Sequence, residues 1–262
     1  MTQNHKWLTF KTMIKRDLLI QARDKNEFIF RVAMLPLILI FIYGFVLPRI
    51  GVVSSEFAAN MFPGMVGMSL LLTGIHGTAV PLTMDFNNSR EIEDRLQAPV
   101  DTKYIALAKM FVGIVEAWIG ALIVLPISLL FMSQHLSFTL AGWDFVVLFG
   151  ILLLASLASA SLGLLVGTIV KPMQIAAMFP GFLMPLVFTG AIFFTWNALT
   201  PLLPVKMFVL INPLVYINEA LRGIMNSNVT SMPFIMSIGG IVFFTVVMSS
   251  LGFKRFMKLA KA

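Results

Sequence analysis

The residues with the most chemical character sit in one connector, 85–103, reading DFNNSREIEDRLQAPVDTK, where Asp85, Glu91, Glu93, Asp94 and Asp101 supply five of the chain's twelve acids. The spacing predicts a short helix over 88–98. Asn88 and Ser89 suit a cap, Glu91 falls in the first turn where acids are favoured, and Pro99 stops it. Ile92 and Leu96 lie four residues apart on one face, while Glu91, Asp94 and Arg95 point elsewhere. A two-residue apolar knob in a charged collar has the chemistry of a docking element for a partner's groove. Spacing alone fits a solvated loop equally well.

Two ionisable groups lie inside apolar runs, where such residues are functional candidates by default. Glu116 stands within the run 104–132, with Lys109 seven residues earlier on the same face. The two readings are a snorkelling pair and a place in a polar pathway. His76 sits among Gly74, Gly77 and Thr78, and a neutral imidazole bonded to a neighbouring carbonyl is the plainer account. A third polar set interrupts the apolar segment 201–222: Pro204, Lys206, Asn212, Pro213, Glu219 and Arg222. Glu219 and Arg222, at i and i+3, are spaced to pair, and replacing Glu219 is expected to impair activity more than assembly.

Catalytic arrangements are missing from the sequence. There is no GxxxxGK[ST] phosphate loop, no HExxH and no Gly-x-Ser-x-Gly elbow. Zero cysteines exclude disulfides and thiolate chemistry. His5, His76 and His135 are scattered. The eighteen methionines invite a Cu(I) hypothesis, but they are dispersed, and flexible apolar packing explains them better. The expectation is a protein that is not an enzyme and holds no metal or cofactor of its own, with no nucleic acid among its partners.

The elements that must position these groups are set by composition. The 262 residues are 58% hydrophobic and 12% charged, with mean hydropathy +0.92, against about a quarter charged in a soluble domain. This is an integral membrane chain. Runs of about 20 apolar residues put it in the all-α class, with six spans predicted near 32–50, 60–84, 104–132, 144–170, 173–195 and 231–253. The chain reads as one transmembrane domain, 1–262, since nothing outside the spans is long enough to fold alone. The charged start lacks the apolar core of a cleavable signal, so the first span is expected to direct insertion. Within 1–31, an amphipathic helix carries Trp7, Phe10, Ile14 and Leu18 on one stripe with Lys6, Lys11 and Lys15 off it, suited to lie on an anionic lipid surface. Sixteen of the nineteen Lys and Arg fall at the N-terminus, the 85–103 connector and its edge, Lys171 and the C-terminal end. By the positive-inside rule both termini and that connector are cytoplasmic.

Small residues mark helix contacts: Ala155, Ser159, Gly163 and Gly167 recur every four positions, with packing inside one protomer favoured over a dimer seam. Pro180, Gly181, Pro185 and Gly190 predict a kinked or broken fifth span. A full crossing by 196–229 would bury charges and move the basic C-terminal end to the other side. A re-entrant helical hairpin on the outer face is expected instead, with Trp196 and Tyr216 near the interface.

The order of parts resembles the ABC-2 type permease family, the membrane subunits of bacterial ABC exporters for drugs and polysaccharides. The likeness rests on the basic N-terminal helix before the first span, on REIEDRLQAPVDTKYIALAKM (90–110), similar to the family's E-x-x-x-L-x-x-x-P-V segment, and on INPLVYINEALR (211–222) after Pro185 and Gly190, similar to NPL-x-Y-x-x-E-x-x-R. The stretch around Lys206 and Met207 fits that pattern loosely. The resemblance implies a six-helix half-transporter that homodimerises in the inner membrane and binds two ATP-binding subunits, which would hold the ATP and Mg. It makes 88–98 the coupling helix, with Glu91, Ile92, Asp94, Arg95 and Leu96 touching the ATPase. It places Asn212, Pro213, Tyr216, Glu219 and Arg222 in a hairpin along the exit path. The cargo would be amphipathic, lipid-like, drug-like or a glycan. An ion-gradient secondary carrier is the rival reading, but no second half repeats the first and only the fifth span is clearly broken.

Overall fold

The computed structural model describes residues 3–23, 25–87, 101–132, 142–226 and 229–260. Seven longer helices organise it: α1 (Gln3–Arg23), α2 (Lys25–Leu39), α3 (Ser55–Asn87), α4 (Thr102–Met132), α5 (Trp143–Gly167), α6 (Pro213–Met225) and α7 (Phe234–Leu259). The described residues form no strand. The expected helix at 88–98, with Glu91, Ile92, Asp94, Arg95 and Leu96, lies outside the described residues.

α3 is the axis. It packs against α2, α4, α5 and α6, and its stretch from Met61 to Ile75 is buried on every side. It is the least apolar of the four helices long enough to cross a bilayer and also the most enclosed. A helix that meets other helices all round, and not lipid, can carry Ser69, Thr73, Gly74 and His76. α4 and α7 show the opposite pattern and turn Leu122, Val242, Phe243 and Val246 outward.

The predicted small-residue stripe on α5 is used inside the chain. A Cβ added at Gly163 would lie 2.8 Å from the Thr78 Cβ, and one at Gly167 would lie 2.9 Å from the Ala79 Cα. Ser159 closes on Gly74 in the same way. Backbones this close leave no room for a larger residue on either helix.

Four helices have the length and composition of membrane spans: Glu56–Phe86, Thr102–Phe131, Trp143–Gly167 and Phe234–Leu259. The first and fifth predicted spans are shorter apolar pieces, Met34–Arg49 and Phe179–Thr189. In the first, α2 runs through a π-helical stretch, Ile40–Val46, into Leu47–Arg49. The fifth is broken as Pro180 and Pro185 foretell. It passes through a 3₁₀ turn (Pro172–Gln174), an α turn (Ile175–Met178), a π turn (Phe179–Leu183) and a last α piece (Met184–Thr189). Each proline removes a ladder donor and crowds the carbonyl four residues back. The sixth span was expected at 231–253, but α7 continues to Leu259, so Lys254, Arg255 and Lys258 ride on its last turns.

The helices give the bundle two ends. One carries α1, the C-terminal ends of α3, α5 and α7 and the start of α4, with Phe86 and Phe256 in edge contact at 5.6 Å between ring centroids. Most of the basic residues belong to this end. The other carries the start of α3 and the irregular segment from Gly190 to Pro233 that contains α6.

Candidate functional site

At the basic end an ion cluster joins three elements. Lys109 Nζ on α4 lies 3.1 Å from Asp17 Oδ2 on α1 and 2.8 Å from Asp85 Oδ2 near the end of α3. All three are buried, Lys109 to 2% exposure. An apolar sleeve of Met13, Leu82, Ile105, Ala106, Met110 and Phe256 surrounds them. An ammonium with three donors can bridge two carboxylates at once, and in this sleeve the attraction is little screened. In the sequence Asp85 precedes the 88–98 connector and Lys109 follows it. Both roots are tied to each other and to α1.

Sequence spacing left a pair with Glu116 open for Lys109; the ion pairs of Lys109 are with Asp17 and Asp85. Residues seven apart share a helix face but stand about 10 Å apart along the axis. Lys109 is engaged at its own level by two carboxylates. Glu116 points across to α3, where a Cβ on Gly77 would lie 2.6 Å from its Oε2. Beside that glycine, His76 Nδ1 donates to the Leu72 carbonyl at 2.8 Å, as its plainer reading anticipates. The structure thus brings Glu116 and the His76–Gly77 turn to one level of the bundle axis.

At the opposite end α6 is held by polar clasps. Asn212 caps it: Oδ1 accepts the Leu214 N–H at 2.9 Å, with Pro213 at the first helical position. The Asn212 amide also donates to the Leu186 carbonyl at 2.7 Å and to Thr189 Oγ1 at 2.9 Å. Asn218 donates to the Gly190 carbonyl at 2.6 Å. The Tyr216 hydroxyl donates to the Leu210 carbonyl at 3.0 Å, and its ring lies where any Cβ on Gly240 would be.

Glu219 and Arg222 are both wholly buried and form the expected i, i+3 ion pair through Arg222 Nη1 and Glu219 Oε1. They also bind four backbone groups from three other segments. Arg222 Nη2 donates to the carbonyls of Ala191 at 2.8 Å and Asn60 at 3.2 Å, and its Nε reaches the Asn60 carbonyl at 3.3 Å. Glu219 accepts the Trp196 N–H at 2.9 Å and the Met232 N–H at 2.7 Å. Ala191, at φ 55°, is in the left-handed region and is fixed there by Arg222. Outside the clasp, Lys206 Nζ stacks 3.9 Å over the Trp196 ring and donates to Thr200 Oγ1.

Of the residues singled out in the sequence, the structure assembles Asn212, Pro213, Tyr216, Glu219 and Arg222 on α6. It keeps Glu116 and His76 on the bundle axis, apart from that group. Asp17, Asn60, Ala191 and Asn218 were not anticipated. Asp17 had a signal: it stands three residues after Ile14 and four after Met13, an acid on the apolar side of an amphipathic helix. Among the described residues neither end presents a nucleophile with a base. The arrangement ties helices to one another and to the segments between them.

Comparison with known proteins agrees with this geometry. A family model described as ABC-2 type transporter matches residues 9–226. The chain is 28% identical over 186 residues, 70% of its length and 68% of the relative's, to the inner membrane transport permease YadH of Escherichia coli K12. The proteins of the same description from Escherichia coli O157:H7 and Shigella flexneri match to the same extent.

Proposed function

Because the chain belongs to the ABC-2 type transporter family, we propose that it is the permease subunit of an ATP-driven exporter, powered by two copies of a separate ATP-binding subunit. Two chains form the passage. The observation that carries this reading is the Asp17–Lys109–Asp85 cluster. A push on the 88–98 connector reaches α3 and α4 together through it, and α1 moves with them. In rigid-body switching, such a joint turns closure of an ATPase pair into helix motion.

In this reading the chain crosses the bacterial inner membrane six times, with the continuous helical runs 25–49 and 172–189 as the first and fifth crossings. Both termini and the connector face the cytoplasm. α6 has thirteen residues, about 20 Å of helix against the roughly 30 Å of a hydrocarbon core. That length supports a hairpin over 196–229 that enters from the outer face and returns. The cargo is amphipathic, of lipid, drug or glycan type. The cysteine-free chain permits a direct check of the orientation. A single cysteine at Ser133 should label from outside, and one at Ser89 only after the membrane is opened; the reverse pattern overturns the arrangement.

Coupling is tested in vesicles that hold this chain with its ATP-binding subunit. Leu96→Ala should loosen the complex, since burying one such side chain in a groove contributes about 1.5–3 kcal/mol. Glu91→Lys should leave ATP hydrolysis running without transport, because a rim charge fixes register more than affinity. If both variants bind and transport as the parent does, 88–98 is an idle connector.

A further inference from the structure

α1 and α4 enclose an apolar groove of about 520 Å³ outside the ion cluster, lined by Trp7, Phe10, Lys11, Ile14, Lys15 and Phe111 among others. We propose that this groove holds one anionic phospholipid, its acyl chain against the aromatic floor and its phosphate between Lys11 and Lys15. The inference requires that the chain sits in a bilayer and is independent of how transport is powered.

Four observations support a lipid of this charge. Lys11 and Lys15 are one helical turn apart and both line the groove, so a single phosphate can meet both ammonium groups. Lys15 also lines an adjoining crevice with Arg16 and Arg23, and among the described residues no acid lines either space. The acid of α1, Asp17, is turned inward to Lys109. Finally, the groove opens at Phe111 onto a stripe of α4, Tyr104, Leu107 and Phe111, each more than 40% exposed and spaced i, i+3, i+7. The helix is long and apolar enough to span a bilayer, so an acyl chain leaving the groove can continue along this exposed apolar stripe. A soluble protein partner could not follow that path. The groove is preformed, because Asp17 and the Phe10–Tyr104 ring contact at 5.8 Å hold α1 to α4.

The test is native mass spectrometry of the purified full-length chain, delipidated in neutral detergent and titrated with phosphatidylglycerol. One tightly held lipid per protomer is expected. Phosphatidylcholine with the same acyl chains should bind at least about tenfold more weakly, and soluble glycerol phosphate should not displace the lipid. Lys11→Gln with Lys15→Gln should weaken phosphatidylglycerol about twentyfold, while Lys254→Gln with Lys258→Gln on α7 should not. A second readout is quenching by brominated lipid of the fluorescence lost in Trp7→Phe, which should appear at lower brominated phosphatidylglycerol than brominated phosphatidylcholine. Equal binding of the two lipids, indifference to the Lys11 and Lys15 changes, or displacement by glycerol phosphate each overturns the proposal. So does displacement of the lipid by an added ATP-binding subunit, which would make the groove a protein interface.

Discussion

Lys109→Met is expected to lower the thermal stability of the purified chain sharply and to detach α1 from the bundle. The substitution keeps the unbranched stem of the side chain and removes the ammonium that sits between Asp17 and Asp85. Two carboxylates then share an apolar sleeve without that counter-charge, and orphaning one partner of a buried ion pair costs about 3–5 kcal/mol. Asp17→Asn alone should cost less, because Lys109 keeps Asp85 at 2.8 Å. The double variant, Asp17→Asn with Lys109→Met, should lose less than the sum of the two single changes, since the residues share one network. Thermal unfolding in detergent reads all three. In vesicles with the ATP-binding subunit, Lys109→Met should retain hydrolysis and lose transport, because the two roots of the connector no longer move as one body. A Lys109→Met protein as stable as the parent, with additive effects in the double variant, would show that the cluster is incidental.

That cluster also marks where reading the sequence stops. Four of the six expected spans were legible because apolar run length is a local property: α4 was expected at 104–132 and runs Thr102–Met132. The break in the fifth span was legible for the same reason, since Pro180 and Pro185 act on their own backbone. Partner choice is not local. Glu116 shares a helix face with Lys109, but the distance along the axis decides against it, and the acids that win come from α1 and α3. The i, i+3 pair of Glu219 and Arg222 was visible from spacing. Its bonds to Asn60, Ala191, Trp196 and Met232 were not, because backbone groups brought together by folding leave no trace in residue type. The NPL-x-Y-x-x-E-x-x-R pattern is a list of such bonds: Asn212, Tyr216, Glu219 and Arg222 each tie α6 to a backbone group.

Against the expectation from spacing alone, these bonds mean that Glu219→Ala is expected to act on folding before it acts on transport. Glu219 accepts from three donors, the Arg222 guanidinium and the N–H groups of Trp196 and Met232. Truncation leaves Arg222 charged at a site with no solvent exposure, a cost of about 3–5 kcal/mol. Each abandoned backbone N–H adds about 1–3 kcal/mol where water cannot replace the acceptor. Native stabilities are only about 5–15 kcal/mol in total, so little folded protein should accumulate. Glu219→Gln should be milder, since its amide oxygen still accepts one N–H while Arg222 keeps its bonds to Ala191 and Asn60. Arg222→Lys should fail nearly as badly as the alanine change, because one ammonium cannot reproduce the planar fork that reaches Glu219, Asn60 and Ala191 together. Yield of monodisperse protein on size exclusion, followed by the melting temperature of what survives, orders the three variants. A Glu219→Ala protein that melts with the parent but fails to transport would place the pair on the cargo's path and refute its role as a clasp.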